Sequence, residues 1–285
     1  MNNKVKAAAL AAVAAIALSA CSSDDGGAES VDASSFPEGS TMAKLADAGK
    51  ITVGTKFDQP LFGLKAPSGD PEGFDVEVAK IIAGKLGISD DNITWTETVS
   101  ANREPFIEGG QVDMVVATYT INDDRKKVVS FAGPYYNAGQ ALMVLADNED
   151  ITSPDDLAGK KVCSVEGSTP ADNIRENYPD AELVLFGAYT DCLEPLRNGG
   201  VDVVTTDNVI LAGYVDESDG EFKVAGEPFT EEPYGIGVSL DDTEFRSWIN
   251  DVLEESFEDG TWLDAWNETA GTVLPEPSVP TVDRY

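Results

Sequence analysis

Two segments share the pattern that decides the fold of this chain: EGGQVDMVVAT (residues 108–118) and RNGGVDVVTTD (residues 197–207). In each, a Gly-Gly pair ends a helix, and a run of β-branched residues then predicts a strand buried on both faces. Both strands become polar where they end. Because ligands of open α/β sheets bind beyond the carboxyl ends of the strands, we expect two lobes with ligand-facing edges at Thr118, Thr120 and Asp207.

The composition allows two modest domains and excludes several classes of function. With 285 residues, 42% of them hydrophobic, the chain can bury a core in each domain. The 52 acidic residues outnumber the 19 basic ones, and the net charge of −33 argues against nucleic acid or anionic lipid as a partner of the folded surface. The lack of histidine excludes Ser-His-Asp and Cys-His catalysis and histidine-based metal sites, so we expect no metal and no cofactor.

The first residues have the pattern of a secretion signal. Lys4 and Lys6 precede an apolar run over residues 7–18 that is too short to span a membrane, which predicts a signal peptide over residues 1–20. The sequence LSAC, ending at Cys21, resembles the lipobox of bacterial lipoproteins, in which the cysteine is acylated. The alternative is an ordinary signal peptide with an incidental cysteine. A polar tether over residues 21–40 would then hold the protein at the extracellular face of the cell membrane.

The two remaining cysteines, Cys163 and Cys192, have neither C-x-x-C spacing nor a neighbouring histidine. An oxidising exterior favours a disulfide between them, and two free buried cysteines are the alternative.

Strand and helix patterns alternate along the rest of the chain, which predicts an α/β fold with two parallel or mixed sheets. We expect lobe 1 over residues 41–141 plus 233–274, lobe 2 over residues 142–232, and a tail over residues 275–285 that is an extended strap or disordered. Two crossovers, near residues 137–145 and 228–234, would join the lobes and act as a hinge. The predicted strands cover residues 51–55, 92–99, 112–117, 162–165, 182–186, 201–205 and 235–240, and the predicted helices cover residues 74–86, 169–177, 191–198, 244–257 and 262–266.

Four stretches together carry a specific resemblance: VGTKFDQPLFGLKAPSGDPEGFDVEVAKIIAGKLG, NREPFIEGGQVDMVVATYTINDDRKKVVSFAGPYY, VCSVEGSTPADNI and VDVVTTDNVILAGY. The chain resembles the polar amino-acid-binding proteins of ABC importers, and among them the glutamate-binding lipoproteins of Gram-positive, especially actinobacterial, organisms. The resemblance implies a two-lobed type II periplasmic-binding-protein fold that closes on its ligand and docks on membrane permease subunits.

The resemblance assigns roles to residues of the first lobe. Arg125, in TYTINDDR, matches the arginine that clamps the α-carboxylate, for which a guanidinium fork is well suited. The alternative is a surface arginine that begins a helix. Thr118 and Thr120 match positions that bind the amino and carboxyl groups of the ligand, and the alternative is that they only cap a strand end.

In the second lobe, Gly-Ser-Thr-Pro predicts a helix start with Thr169 as N-cap, so Ser168 and Thr169 could also hold the α-carboxylate at a helix N-terminus. Asp207 matches the acidic residue that pairs with the ligand ammonium. The alternative is that Asp207 only caps the helix over residues 208–214.

Lys56 and Arg103 match positions where binders of acidic amino acids place a basic residue, although Lys56 could instead be solvated. With Arg125 they supply three positive charges against Asp207, which favours glutamate over glutamine because a buried cation without a partner is costly. Aspartate differs from glutamate by one methylene, and the sequence does not separate them securely.

These features together predict a monomeric binding protein for L-glutamate or a similar amino acid, without enzymatic activity. An enzyme on the same fold, such as a dehydratase, and an extracellular sensor are the alternatives from other classes. Neither a nucleophile-and-base pair nor a phosphate-binding G-x-x-x-x-G-K-[ST] loop occurs in the sequence.

Overall fold

Alternating strands and helices build two five-stranded sheets in the computed structural model, which describes residues 31–285. The strands are β1 (Ile51–Thr55), β2 (Asp58–Gln59), β3 (Gly63–Leu64), β4 (Ile93–Glu97), β5 (Met114–Val115), β6 (Val129–Ala138), β7 (Gln140–Leu145), β8 (Lys161–Val165), β9 (Glu182–Phe186), β10 (Val203–Asp207), β11 (Phe222–Ala225) and β12 (Glu232–Ser239). The α-helices are α1 (Thr41–Ala48), α2 (Phe74–Lys85), α3 (Arg103–Glu108), α4 (Thr169–Asn177), α5 (Leu193–Arg197), α6 (Asn208–Asp216), α7 (Thr243–Asp259) and α8 (Thr261–Glu268).

The first lobe is built on a mixed sheet with the strand order β4-β1-β5-β12-β6. β1 pairs in parallel with β4 and with β5, and β12 runs antiparallel to β5 and β6. The last strand of the chain therefore lies inside this sheet rather than at its edge. The β2–β3 hairpin follows β1 and stands apart from the sheet.

The second lobe is built on a mixed sheet with the strand order β11-β7-β10-β8-β9. β8 is parallel to β9 and to β10, whereas β7 is antiparallel to β10 and to β11. The α/β fold class predicted from the sequence, with two mixed sheets, is confirmed. No helix among residues 31–285 is long and apolar enough to cross a membrane.

Two neighbouring segments connect the sheets. Gly139 separates β6 of the first sheet from β7 of the second, and residues 226–231 lead back from β11 to β12. The segments are hydrogen-bonded to each other, because the Phe229 N–H donates to the Gln140 carbonyl at 2.9 Å and the Gln140 N–H donates to Thr230 Oγ1 at 3.0 Å. Both lie at the crossover positions expected from the sequence.

Several strands differ from the sequence-based bounds, and two of these differences, in β5 and β10, shape the ligand-facing edges. A strand is predicted over residues 112–117, but β5 covers only Met114–Val115. The chain leaves the ladder before Thr118, whose φ of 42° lies in the left-handed region that few residues other than glycine adopt. β10 starts at Val203 and continues through Asp207, so this strand places the Asp207 carboxylate at the edge of the second sheet.

An aromatic cluster fixes the first turn of α2 against α8. Phe74, Trp262 and Trp266 are fully buried, and the ring centroids of Phe74 and Trp266 are 5.1 Å apart in an edge-to-face arrangement. Edge-to-face aromatic pairs stabilise a core beyond the area that they bury. The cluster therefore holds the neighbouring residue Asp75 in a defined position.

A disulfide joins Cys163 of β8 to Cys192, with an S–S distance of 2.03 Å. The alternative of two free cysteines is therefore wrong. The two residues are 29 positions apart, and closing a loop of this length stabilises a fold by about 3 to 4 kcal/mol on the chain-entropy model. The bond ties the short 3-10 helix Tyr189–Cys192 to the second sheet.

Both ends of the described chain pack on the first lobe. Within the region assigned to a tether, residues 31–40 are structured, and Phe36 packs edge-to-face on Trp248 at 5.9 Å. The tail over residues 275–285 is an extended strap, because the Asp283 N–H donates to the Gly133 carbonyl at 2.7 Å and the Tyr285 hydroxyl accepts from the Phe131 N–H at 2.9 Å. The predicted signal peptide and Cys21 lie outside the described residues.

Candidate functional site

A narrow cavity of about 10 Å³ lies where the carboxyl edges of the two sheets face each other. Its wall includes six of the eight ligand-binding residues predicted from the sequence: Arg103, Thr118, Thr120, Ser168, Thr169 and Asp207. The other two, Lys56 and Arg125, lie behind this wall and reach it through hydrogen bonds. The two lobes are in contact around the cavity, so the structure represents a closed arrangement.

Thr118 is held at the cavity by two residues that sequence reasoning missed. Its N–H donates to Asp75 Oδ2 at 2.7 Å, and its hydroxyl donates to Gln59 Oε1 at 2.9 Å. Asp75 also accepts from the Tyr135 hydroxyl at 2.6 Å. Since the backbone of Thr118 is in the left-handed region, these bonds offset a strained conformation and fix the wall of the site.

Arg103 has a buried guanidinium that donates only to carbonyl oxygens among residues 31–285. It contacts the carbonyls of Ala117, Thr118 and Gly167 at 3.2 to 3.3 Å, and it lies 4.3 Å from the centroid of the Tyr119 ring. No carboxylate in the described chain lies within 4.0 Å of it. Burial, and then the neighbouring Arg125, lowers the pKa of Arg103 to about 10.

Arg125 is buried with 8% of its surface exposed, so it is not a surface arginine, although it does begin the 3-10 helix Arg125–Lys127. Its Nε is 3.2 Å from Glu104 Oε1, and its Nη1 donates to the Thr120 carbonyl at 2.8 Å. Its Nη2 donates to the Gly167 carbonyl at 3.0 Å, the same oxygen that Arg103 contacts. Two guanidinium groups from the first lobe thus converge on one oxygen of the second lobe.

Lys56 is 3% exposed, so the alternative of a solvated lysine is wrong. Its ammonium donates to Ser100 Oγ at 2.8 Å, and it forms no ion pair with a carboxylate of residues 31–285. Burial, reinforced by the positive charge of Arg103, lowers the pKa of Lys56 to about 7. A ligand carboxylate near this ammonium would restore its charge.

Helix α4 has the predicted bounds, but its N-cap lies one residue earlier than the sequence predicts. Ser168, not Thr169, is the N-cap, since its hydroxyl accepts from the Ala171 N–H at 3.2 Å and its ψ of 148° is extended. Thr169 is already helical. Its hydroxyl is therefore free to reach the crossover strand β12, where it donates to Glu232 Oε2 at 2.7 Å, and it lies 3.2 Å from Thr120 Oγ1 across the cavity.

Asp207 occupies the N-cap position of α6, but its side chain makes no capping bond. The capping alternative is therefore wrong. Its Oδ2 accepts from the Tyr234 hydroxyl at 2.6 Å, and its Oδ1 is buried without a partner. Burial, and then the nearby Glu232, raises the pKa of Asp207 to about 8. A buried carboxylate oxygen of this kind requires a donor, and a cationic donor would lower its pKa again.

The charge balance of the site differs from the simple count made from the sequence. Asp75, Glu104 and Glu232 add carboxylates around the three cations, and Glu104 pairs directly with Arg125. Burial raises the pKa of Asp75 to about 7, against its hydrogen bonds from Tyr135 and Thr118. The cations that remain without a carboxylate are Lys56 and Arg103, at least among the described residues.

Asp75 could have been noticed from the sequence, since it belongs to the GFDV motif that carries part of the resemblance. Glu232 and Gln59 gave no local signal. In the described part of the chain, no cluster of three or more His, Cys, Asp or Glu side chains could hold a metal ion.

Known proteins are similar to this chain over most of its length. The family of bacterial extracellular solute-binding proteins, family 3, matches residues 51–268. The chain is 41% identical over 284 residues to the glutamate-binding protein GluB of Corynebacterium efficiens, covering 95% of this chain and 92% of that protein. It is 40% identical over 251 residues to the ABC transporter glutamine-binding protein GlnH of Bacillus subtilis, covering 87% of this chain and 90% of that protein.

Two solved structures are similar to this fold. An ancestral arginine-binding protein bound to glutamine matches with a TM-score of 0.73 and 36% identity, covering 77% of this chain and 97% of that one. The ancestral amino acid-binding protein AncCDT-1, a precursor of cyclohexadienyl dehydratase, matches with a TM-score of 0.73 and 30% identity, covering 80% of this chain and 99% of that one. The two lobes described above therefore have the two-lobed type II periplasmic-binding-protein fold.

Proposed function

Because this chain belongs to the bacterial extracellular solute-binding proteins, family 3, we propose that its cavity captures one acidic amino acid, L-glutamate first, and delivers it to the permease subunits of an ABC importer. The protein acts outside the cell. We further propose that it does so as a monomer, held at the membrane by acylation of Cys21, with lobe 1 over residues 41–141 plus 233–274 and lobe 2 over residues 142–232.

One observation carries the choice of ligand class: buried basic groups and a buried carboxyl group lie around the cavity without an ionic partner. Arg103 and Lys56 have no carboxylate partner within residues 31–285, and Asp207 Oδ1 has no donor. Burying such groups costs free energy unless a ligand supplies the missing partners. A molecule with two carboxylates and one ammonium fits this requirement.

We assign the ligand groups as follows. Arg125, together with the N-terminus of α4 at Ser168 and Thr169, binds the α-carboxylate; its guanidinium and that of Arg103 both donate to the Gly167 carbonyl beside that N-terminus. Asp207 binds the ammonium, with Thr118 and Thr120 as further hydrogen-bonding groups. Arg103 and Lys56 bind the side-chain carboxylate.

The relatives leave glutamate and glutamine as the two main candidates, because GluB is named for one and GlnH for the other. Glutamine would leave Arg103 or Lys56 without a counter-charge in a buried site. Removing one partner of a buried charge pair costs on the order of 3 kcal/mol, so glutamate is favoured.

Isothermal titration of the wild-type protein with each common amino acid tests the proposal. We expect one acidic amino acid to bind much more tightly than its amide. Absence of binding by every acidic amino acid would contradict the proposed ligand class.

A variant separates the role of Arg103 from general effects on the fold. Arg103→Met should weaken glutamate binding at least about 100-fold and glutamine binding much less, because it removes the cation and keeps most of the apolar stem. Arg197→Met is the matched control, since Arg197 lies outside the cavity wall and pairs with Glu221. Equal losses for glutamate and glutamine in Arg103→Met would remove Arg103 from the assigned role.

We propose that the protein binds its ligand without turnover. The similarity to a dehydratase precursor makes an enzyme the alternative to test, because AncCDT-1 shares the fold. Prolonged incubation with the bound amino acid, followed by NMR of the solution, should show unchanged ligand. A new product in stoichiometric excess over protein would favour the enzyme.

A further inference from the structure

The two lobes also meet at a second place, beside the cavity. There the β2–β3 hairpin of the first lobe packs against α6 and the 3-10 helix Tyr189–Cys192 of the second lobe. We define this contact, the interlobe latch, by five residues: Asp58, Pro60, Tyr189, Gly213 and Tyr214.

Three hydrogen bonds cross from one lobe to the other in the interlobe latch, and all end on Asp58; the longest joins the Tyr214 hydroxyl to Asp58 Oδ2 at 3.5 Å. The Tyr189 N–H donates to Asp58 Oδ2 at 2.9 Å, and the buried Tyr214 hydroxyl donates to the Asp58 carbonyl at 2.7 Å. Asp58 and Tyr214 are not part of the cavity wall. Although the Tyr189 side chain lines the cavity, its bond to Asp58 uses the main chain.

The packing of the interlobe latch depends on a glycine. A Cβ placed on Gly213 would lie 2.7 Å from the Pro60 carbonyl oxygen and 3.1 Å from Pro60 Cβ, closer than the structure could tolerate without movement. Glycine weakens a helix relative to alanine, and Gly213 lies inside α6. Its presence there is explained by the close approach of the first lobe.

The disulfide supports this contact from the second lobe. Cys192 ends the same 3-10 helix that begins with Tyr189, and its bond to Cys163 ties that helix to β8. Tyr189 therefore presents its N–H to Asp58 from a fixed element.

We propose that the interlobe latch stabilises the closed arrangement without touching the ligand, so that it strengthens the binding of every accepted amino acid by the same factor. The inference rests on the proposed function, because it concerns closure around an amino acid. When binding requires a closed form, apparent affinity falls in proportion to the closed fraction, whichever ligand is used. A residue that touches the ligand would instead change the ratio of affinities between ligands.

Two variants test the interlobe latch by titration calorimetry with glutamate, aspartate and glutamine. Tyr214→Phe removes one hydroxyl and should weaken each ligand that binds by about threefold to tenfold. Gly213→Ala should weaken each ligand by at least as much, because the added methyl group meets Pro60. Gly84→Ala in α2 is the matched control, since a Cβ there has open space around it and binding should stay unchanged.

Thermal unfolding tests whether a loss of affinity in Gly213→Ala simply reflects a destabilised fold. Gly213→Ala should unfold at the same temperature as the wild type or higher, because alanine favours the helix, while its affinity falls. Wild-type affinity in Gly213→Ala, or a changed ratio between ligands in either variant, would overturn the proposal.

The interlobe latch remains testable if the proposed function fails. If no amino acid binds the wild type, small-angle scattering of the proteins without added ligand tests whether the interlobe latch holds the lobes closed. We then expect a larger radius of gyration for Gly213→Ala than for the wild type and Gly84→Ala. Equal radii would then overturn the interlobe latch independently of the ligand.

Discussion

At the scale of single residues, Asp207 combines burial, a raised pKa and an oxygen without a donor. In the folded protein its carboxyl group keeps its proton up to about pH 8, whereas in the unfolded chain it ionises near 3.8. The folded state therefore holds more protons between these values, and Asp207 lowers the free energy of unfolding as the pH rises through this window. The ligand ammonium would remove this cost, which links stability to binding.

Asp207→Asn tests this linkage in the ligand-free protein. We expect the free energy of unfolding of the wild type to fall between pH 5 and pH 8 by up to about 1.4 kcal/mol per pH unit from this group, and the variant to lose that part of the slope. Denaturant titrations at several pH values measure it. Asp241→Asn, at an exposed position, should keep the wild-type slope. A slope in Asp207→Asn equal to that of the wild type would contradict the assignment.

The site residues that could be predicted from the sequence differ from those that could not in whether a local sequence pattern marks them. Arg103, Thr118 and Asp207 follow strands or begin helices, so a local pattern places them at a sheet edge. Asp75 and Glu232 act through bonds to Thr118 and Thr169, which are 43 and 63 positions away. Such bonds depend on tertiary packing, and no local periodicity encodes them.

At the scale of elements, the start of α4 decides which hydroxyl is used for structure and which faces the cavity. Ser168→Ala should lower the free energy of unfolding by about 1 kcal/mol, because it removes the N-cap bond to Ala171. Thr169→Ala should change stability less, since Thr169 is not the cap, but it should weaken ligand binding. Thermal unfolding and calorimetry on the two variants separate these effects. The opposite order of stabilities would restore Thr169 as the N-cap.

The elements themselves could be predicted well where periodicity and flanking signals agree. β1, β9 and α4 have the bounds expected from the sequence. The ends of β5 could not be predicted, because Thr118 leaves the ladder in a left-handed conformation that its tertiary bonds to Asp75 and Gln59 stabilise. The N-cap of α4 was off by one residue because serine and threonine are both good N-caps, and the cavity-side partner of Thr169 decided between them.

At the scale of the whole molecule, the net charge of −33 makes self-repulsion a general cost of folding. Added salt screens this repulsion, so raising NaCl from about 0.05 to 0.5 M should raise the unfolding temperature of the ligand-free protein. Calorimetric scans measure the shift. A variant with three exposed acidic residues neutralised (Asp241→Asn, Glu258→Gln and Glu276→Gln) should respond less to salt. An unfolding temperature that falls with added NaCl would contradict this account.

The position of β12 inside the first sheet also determines the order in which the protein can fold while it is made or exported. The strands of the second sheet lie in one continuous stretch of chain, so that unit is complete once residue 225 has emerged. The first sheet must wait with the edges of β5 and β6 unpaired until residues 232–239 arrive between them. Unpaired edges promote aggregation, so the time between these two events is when the nascent chain most needs protection.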